Sequence, residues 1–120
     1  MDRFRPDALL PLTPVAFEIL LALADGERHG YSILQEVEAR SAGAVSLHAG
    51  TLYRALARLL ESGLIYELDE SPDPTSVDER RRYYALTPRG IAVARAEAAR
   101  LEGQVAAARA RRLLKGGARV

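Results

Sequence analysis

Arg80-Arg81-Arg82-Tyr83-Tyr84-Ala85-Leu86-Thr87-Pro88 is the stretch that decides the fold. Its β-prone tyrosines precede a threonine able to cap a helix with proline at the first helical position, so it predicts a strand running directly into a helix start. The strand is expected over Arg80 to Leu86, its partner over Leu64 to Asp69. In that partner Leu64, Tyr66 and Leu68 point one way, Glu67 and Asp69 the other. By the same alternation Arg80 and Arg82 share a face with Tyr84, and Arg81 with Tyr83, so part of the arginine triplet faces outward while Tyr84 and Leu86 join the core. Between the strands, Glu70 to Glu79 contains Pro72, Pro74, Asp73 and Asp78, a long hairpin with a negative tip that cannot itself grip phosphate.

Upstream of the hairpin three helices are predicted. Thr13-Pro14 opens the first, whose Phe17, Leu20, Leu21, Leu23 and Ala24 recur at helical spacing before Asp25-Gly26 stops it. The second runs from about Gly30 to Arg40, with Ile33, Leu34 and Val37 on one side. The third, roughly Ala49 to Ser62, is closed by Gly63. Advancing each residue by 100° gathers Leu52, Leu56, Leu59 and Leu60 in one sector and Thr51, Arg54, Ala55, Arg58 and Ser62 in another that is short, polar and basic. Met1 to Leu12 holds two prolines without a sustained period and reads as an arm outside the core.

Downstream, the periodic pattern extends from Pro88 to about Leu114, roughly 40 Å of helix at 1.5 Å per residue and too long for so small a domain to cover. Ile91, Ala94, Ala98, Leu101, Val105 and Ala108 alternate spacings of three and four, the seam of a helix packed along a second copy. Arg109, Arg111, Arg112 and Lys115 lie near its C-terminal end, where cations offset the dipole. The fold class is therefore mainly α with a small β-hairpin. It divides into an arm (1–12), a winged helix-turn-helix domain (13–87) and a C-terminal dimerisation helix with its tail (88–120).

Composition excludes more than it selects. The chain has 120 residues and no cysteine, which removes disulfides, thiol chemistry and cysteine-ligated zinc. No apolar run approaches the ~20 residues of a membrane span, so a soluble, cytoplasmic protein without membrane partners is expected. The net charge of +1 is too small to advertise a nucleic-acid partner, and distribution must carry that argument. Residues 91–120 hold seven Arg or Lys against two acids, and the Arg80 triplet is a local cluster. His29 and His48 are the two histidines, and no hydrolase, zinc-protease, phosphate-loop or dinucleotide fingerprint is present, so neither an enzyme nor a cofactor is expected.

The third helix follows a second across a linker longer than a tight helix-turn-helix allows and stands directly before a hairpin, the position of a recognition helix in the major groove of double-stranded DNA. Arg54 and Arg58 can fork onto guanine or pair with phosphate, and the residues leave open which does either. Ser46 and His48 would flank the helix's N-terminus, where backbone N–H groups favour phosphate. Arg80, Arg81 and Arg82 would contribute the wing. A winged helix that docks a protein instead of DNA is the alternative, separable by salt dependence.

Leu12-Thr13-Pro14, Leu21-Ala22-Leu23-Ala24-Asp25-Gly26, His29-Gly30-Tyr31, Gly50-Thr51-Leu52-Tyr53-Arg54-Ala55-Leu56, Gly63-Leu64-Ile65 and Arg82-Tyr83-Tyr84-Ala85-Leu86-Thr87 together resemble the PadR family of bacterial transcriptional regulators. The resemblance implies a winged helix-turn-helix followed by a dimerisation helix. It implies a repressor released by a small aromatic or amphipathic effector, while the terminal seam itself predicts a homodimer whose two recognition helices, one DNA turn apart, favour a palindromic operator. The resemblance also places Tyr31, Thr51, Tyr53 and Arg54 in or beside the DNA-contacting region. The acidic hairpin tip and the absence of tryptophan depart from some members, and the single C-terminal helix resembles the compact branch.

Overall fold

The computed structural model describes residues 3–43, 47–68 and 82–115. Helix α1 (Pro14–Leu23) begins where Thr13 Oγ1 accepts a hydrogen bond from the Ala16 N–H at 3.1 Å, with Pro14 at the first helical position. Nearly every inward position of α1 is sealed: Ile19, Leu20, Ala22 and Leu23 are buried. It is the central element, packed on α2 (Gly30–Arg40), α3 (Ala49–Glu61) and α4 (Pro88–Ala110). From α3, Leu52, Leu56 and Leu59 enter this core, each burial worth roughly 1.5–3 kcal/mol.

The sheet has three strands rather than the two of a hairpin. Its order is β1 (Arg28–His29), β3 (Tyr83–Leu86), β2 (Ile65–Leu68), all antiparallel. The two-residue β1 carries no alternation that sequence reading could detect, and side-chain bonds hold it. Arg28 Nε donates to the Ala22 carbonyl at 2.7 Å and its Nη1 to Ser32 Oγ at 3.1 Å. His29 Nδ1 caps α2 by accepting from the Ser32 N–H at 3.1 Å, and its ring meets Tyr83 edge-on at 5.4 Å.

Strand β2 begins one residue later than expected, at Ile65, and keeps the alternation that sets Tyr66 and Glu67 on opposite faces. The register pairs Ile65 with Leu86 and Glu67 with Tyr84, so these share one face, whereas Tyr66 turns outward and is 46% exposed. Leu64 is committed to the end of α3. Gly63, at φ +74°, sends its N–H to Leu60 O at 3.1 Å while the Leu64 N–H reaches Leu59 O at 3.0 Å, a Schellman cap with Leu64 packed inside. The described part of the return strand starts at Tyr83. Arg80, Arg81, Asp69 and the acidic segment Glu70–Glu79 lie outside the described residues.

The N-terminal segment does not stand apart from the core as its composition suggested. After a 3-10 turn at Pro6–Leu9, Leu10 and Leu12 pack against the core, as does Phe4, over which the Arg89 guanidinium lies 4.6 Å from the ring centroid. The Leu12 N–H donates to Glu97 Oε2 at 3.1 Å, which ties the segment to α4.

Helix α4 is entered through Thr87. Its Oγ1 accepts from the Gly90 N–H at 3.0 Å and donates to the Gly63 carbonyl at 2.7 Å, while its N–H donates to Leu64 O at 3.1 Å. Only Gly fits at position 90, because a Cβ there would sit 2.0 Å from the Leu64 carbonyl oxygen. The helix ends at Ala110, short of the expected Leu114. Arg112 takes φ +63° and the Leu113 N–H returns to Ala108 O at 2.9 Å, closing the last turn without the glycine that normally signals such a cap.

Candidate nucleic-acid interface

The outward face of α3 is built by its cap and its apolar stripe. With Leu52, Leu56 and Leu59 held in the core, Gly50, Tyr53, Arg54, Ala57, Arg58 and Glu61 are left exposed. Thr51 and Ala55, grouped with the basic sector by sequence, are half-buried on its flank. Gly50 and Ala57 are the face residues that sequence reading missed. Their signal was available, since the 100° projection puts the pole opposite the leucines at Arg54 and Glu61, with Gly50, Ala57 and Arg58 beside it.

Arg54 and Arg58 have no carboxylate partner among the described residues. Arg54 Nη2 makes one contact of 3.4 Å to Thr51 Oγ1. Two guanidiniums therefore stand on one helix face with their donors uncommitted, suited to phosphate oxygens or to a guanine edge. Glu61, at the far end of the same face, closes the positive stretch just after Arg58 in the last turn of the helix.

Tyr53 and Tyr31 extend this face toward α2. Tyr53 is 51% exposed and Tyr31 59%. The Tyr53 ring lies across the start of α2, where Gly30 makes room: a Cβ at Gly30 would meet the Tyr53 hydroxyl at 2.5 Å. A bulkier residue at 30 would therefore push the phenol off α2. Nearby Tyr84 is buried, and that burial, followed by the neighbouring Glu67 carboxylate, pushes its phenol up from the ordinary value, which keeps it neutral as a core residue.

The remaining candidates are distributed unevenly. His48 is exposed and occupies the N-cap position of α3 without a side-chain capping bond, so its ring is available at that helix end. Arg82 is exposed but pairs with Glu67 at 3.4 Å, which partly neutralises it. Ser46, Arg80 and Arg81 lie outside the described residues. Along α4, Gly90, Val93 and Glu97 face the chain's own core. Of the expected seam, Ile91 is 39% and Val105 38% exposed, Ala98 is exposed, and Ala94, Leu101 and Ala108 are half-buried.

Glu97 is the buried charge that sequence reading passed over, because it sits in a helix rich in exposed acids and bases. It is 2% exposed and takes a two-pronged contact from Arg100, Nε to Oε1 at 2.6 Å and Nη2 to Oε2 at 3.0 Å. The Arg100 hydrogen bond, opposed by burial and aided by the Leu12 N–H, holds the Glu97 carboxyl below the usual range. Among the described residues there is no cluster of side chains able to hold a metal, and no helix long and apolar enough to cross a membrane.

Comparison with known proteins places this arrangement. The model of the transcriptional regulator PadR-like family matches residues 19–96. An uncharacterised 37.1 kDa protein in transposon TN4556 of Streptomyces fradiae is 41% identical over 90 residues, covering 72% of this chain and 24% of the relative. The chain thus spans about a quarter of that curated relative. Among solved structures, a transcriptional regulator from Clostridium thermocellum is 28% identical with a TM-score of 0.67, covering 78% of this chain and 84% of that one. Bacillus subtilis PadR, solved in complex with operator DNA, shares the fold at 24% identity and a TM-score of 0.56, over 67% of this chain and 44% of that one. With two-thirds of its length matched by the family model and its fold shared with these regulators, the chain belongs to the PadR-like family of transcriptional regulators.

Proposed function

We propose that this protein is a sequence-specific, DNA-binding repressor that acts as a homodimer on a palindromic operator and responds to a small effector. The observation that carries the DNA-binding part is the exposed face of α3, where Arg54 and Arg58 are uncommitted to any described carboxylate and Tyr53 and Tyr31 flank them. His48 at the helix start and Arg80, Arg81 and Arg82 at the hairpin would add backbone contacts, which position the helix without reading sequence.

The dimer part is supported by α4. Its last buried residue is Glu97, yet the helix continues to Ala110 with Ile91 and Val105 each more than a third exposed on the seam. An apolar stripe of that kind is stabilised by a second copy, and a two-fold pair would set two recognition helices about 34 Å apart, one turn of DNA.

The test is a fluorescence anisotropy titration on DNA from the protein's own promoter region. Arg54→Ala with Arg58→Ala should weaken binding at least tenfold and flatten the slope of log affinity against log salt by about 1–2. A double variant that binds as tightly as wild type, with the same slope, overturns the assignment of α3.

A further inference from the structure

Past Glu61, positive charge returns on a surface that the recognition face does not include. Arg3, Arg5 and Arg89 are all exposed and line one open cleft of about 440 Å³ with Phe4, Leu9 and Ser62. The core beneath builds this cluster. Phe4 packs on the core and Arg5 has extended backbone, so the side chains on either side of Phe4, Arg3 and Arg5, are turned outward. Arg89, from the first turn of α4, lies 4.6 Å from the Phe4 ring centroid and is fixed beside them. The bond from the Leu12 N–H to Glu97 moors the segment, so the guanidiniums stand on a scaffold and lose little freedom when a partner binds. Among the described residues Arg3 and Arg89 have no carboxylate partner. Arg5 meets Asp7 at 3.9 Å with the two side chains 72% and 68% exposed, a pair of the kind that contributes little and yields to a phosphate.

Position decides what such a cluster meets. Leu9 and Ser62 line both this cleft and the groove that opens beside α3, so the two surfaces are continuous. From Arg54 to Ser62 the helix rises about 12 Å, roughly the width of the major groove. With the N-terminal half of α3 in that groove, its C-terminal end stands over the strand that bounds it. The geometry points to a second DNA contact, in which Arg3, Arg5 and Arg89 hold the sugar-phosphate backbone beside the half-site. A free small anion would occupy one guanidinium of so open a cleft, whereas a strand, with a phosphate every 3.4 Å or so of rise, offers one to each. Such contacts fix register and add affinity without reading sequence. The inference rests on the DNA-binding reading of α3 above.

The test is an anisotropy titration over a range of salt on two duplexes, one from the protein's own promoter region and one of the same composition in shuffled order. Arg3→Gln with Arg5→Gln and Arg89→Gln should weaken binding to both at least tenfold and keep the ratio of the two affinities within about twofold. It should also flatten the slope of log affinity against log salt by about 2–3 for each half-site. Arg3→Gln with Arg5→Gln alone, which leaves Arg89 on Phe4, should flatten it by about 1–2 and provides the test if the triple variant does not fold. Arg109→Gln, which removes an equal charge at the distal end of α4, should change neither quantity. Ethylation of phosphates bordering the half-site should weaken the wild type but not the triple variant. Unchanged affinity and slope, a loss confined to the promoter duplex, or an equal loss for Arg109→Gln overturns the contact. If wild-type binding depends on Arg54 and Arg58 alone, the reading of α3 stands and this contact fails. If the wild type binds neither duplex, the reading of α3 fails and the contact with it.

Discussion

Replacing Gly90 with alanine probes the joint on which both the winged domain and the long helix depend. A Cβ at this position would lie 2.0 Å from the Leu64 carbonyl oxygen, whereas ordinary contact begins at 3.4 Å, so the two backbones must part by about 1.4 Å. That displacement breaks the 3.1 Å bond from the Thr87 N–H to the same carbonyl and disturbs the Thr87 cap on Gly63. One lost hydrogen bond and the strain of an overpacked contact together cost about 3 kcal/mol, roughly a 10 °C fall in Tm for a domain of this size. Gly103 supplies the opposite control within the same helix. Nothing lies within 4 Å of its Cβ position, and it falls on the side of α4 away from the seam, so alanine there should stabilise by about 0.5–1 kcal/mol. Urea and thermal unfolding at one fixed protein concentration measure both, since association shifts apparent stability. If Gly90→Ala matches wild type, or tracks Gly103→Ala in sign, the close approach of α4 to the α3–β2 turn is not what holds them together.

Gly30→Ala separates binding from stability. Helix propensity favours alanine at the start of α2, yet the new Cβ meets the movable Tyr53 hydroxyl at 2.5 Å, so stability should fall by no more than about 0.5 kcal/mol while DNA affinity drops several-fold. In a Tyr53→Phe background the affinity loss should shrink, because the hydroxyl contact is gone while the ring carbons stay at 3.0 and 3.1 Å, and a simple sum of the two effects refutes the link. Glu97→Gln should cost about 1–2 kcal/mol at pH 7, moderated by the access of Arg100 to solvent. Because the folded carboxyl is held below its ordinary value of 4.5, its contribution is complete above that pH and is lost as pH falls through the lowered folded value. The wild type and Glu97→Gln should therefore converge in stability in strongly acidic solution, and a gap that persists there argues against the ion pair.

Local rules made much of this protein readable from its residues. Thr13-Pro14 and Thr87-Pro88 cap helices as their side-chain chemistry requires, Gly63 ends α3 in the left-handed region, and the leucines of α3 turn inward because their spacing matches the helical period. Where the signal was non-local, it was silent. Two residues suffice for β1 because Arg28 reaches Ala22, Ser32 and Glu36, contacts that appear only once the chain is folded. The N-terminal segment has no period of its own, and what docks it is Glu97, a distant carboxylate buried with Arg100. The amino-acid sequence thus determined the helices, the β2–β3 pair and which family they form, since caps, periods and turn residues act over a few neighbours. Tertiary structure alone decided which arginines remain unpaired, which face of β2 is inward and where a groove opens beside α3. Burial, register and pairing depend on residues far apart in the chain meeting at one place.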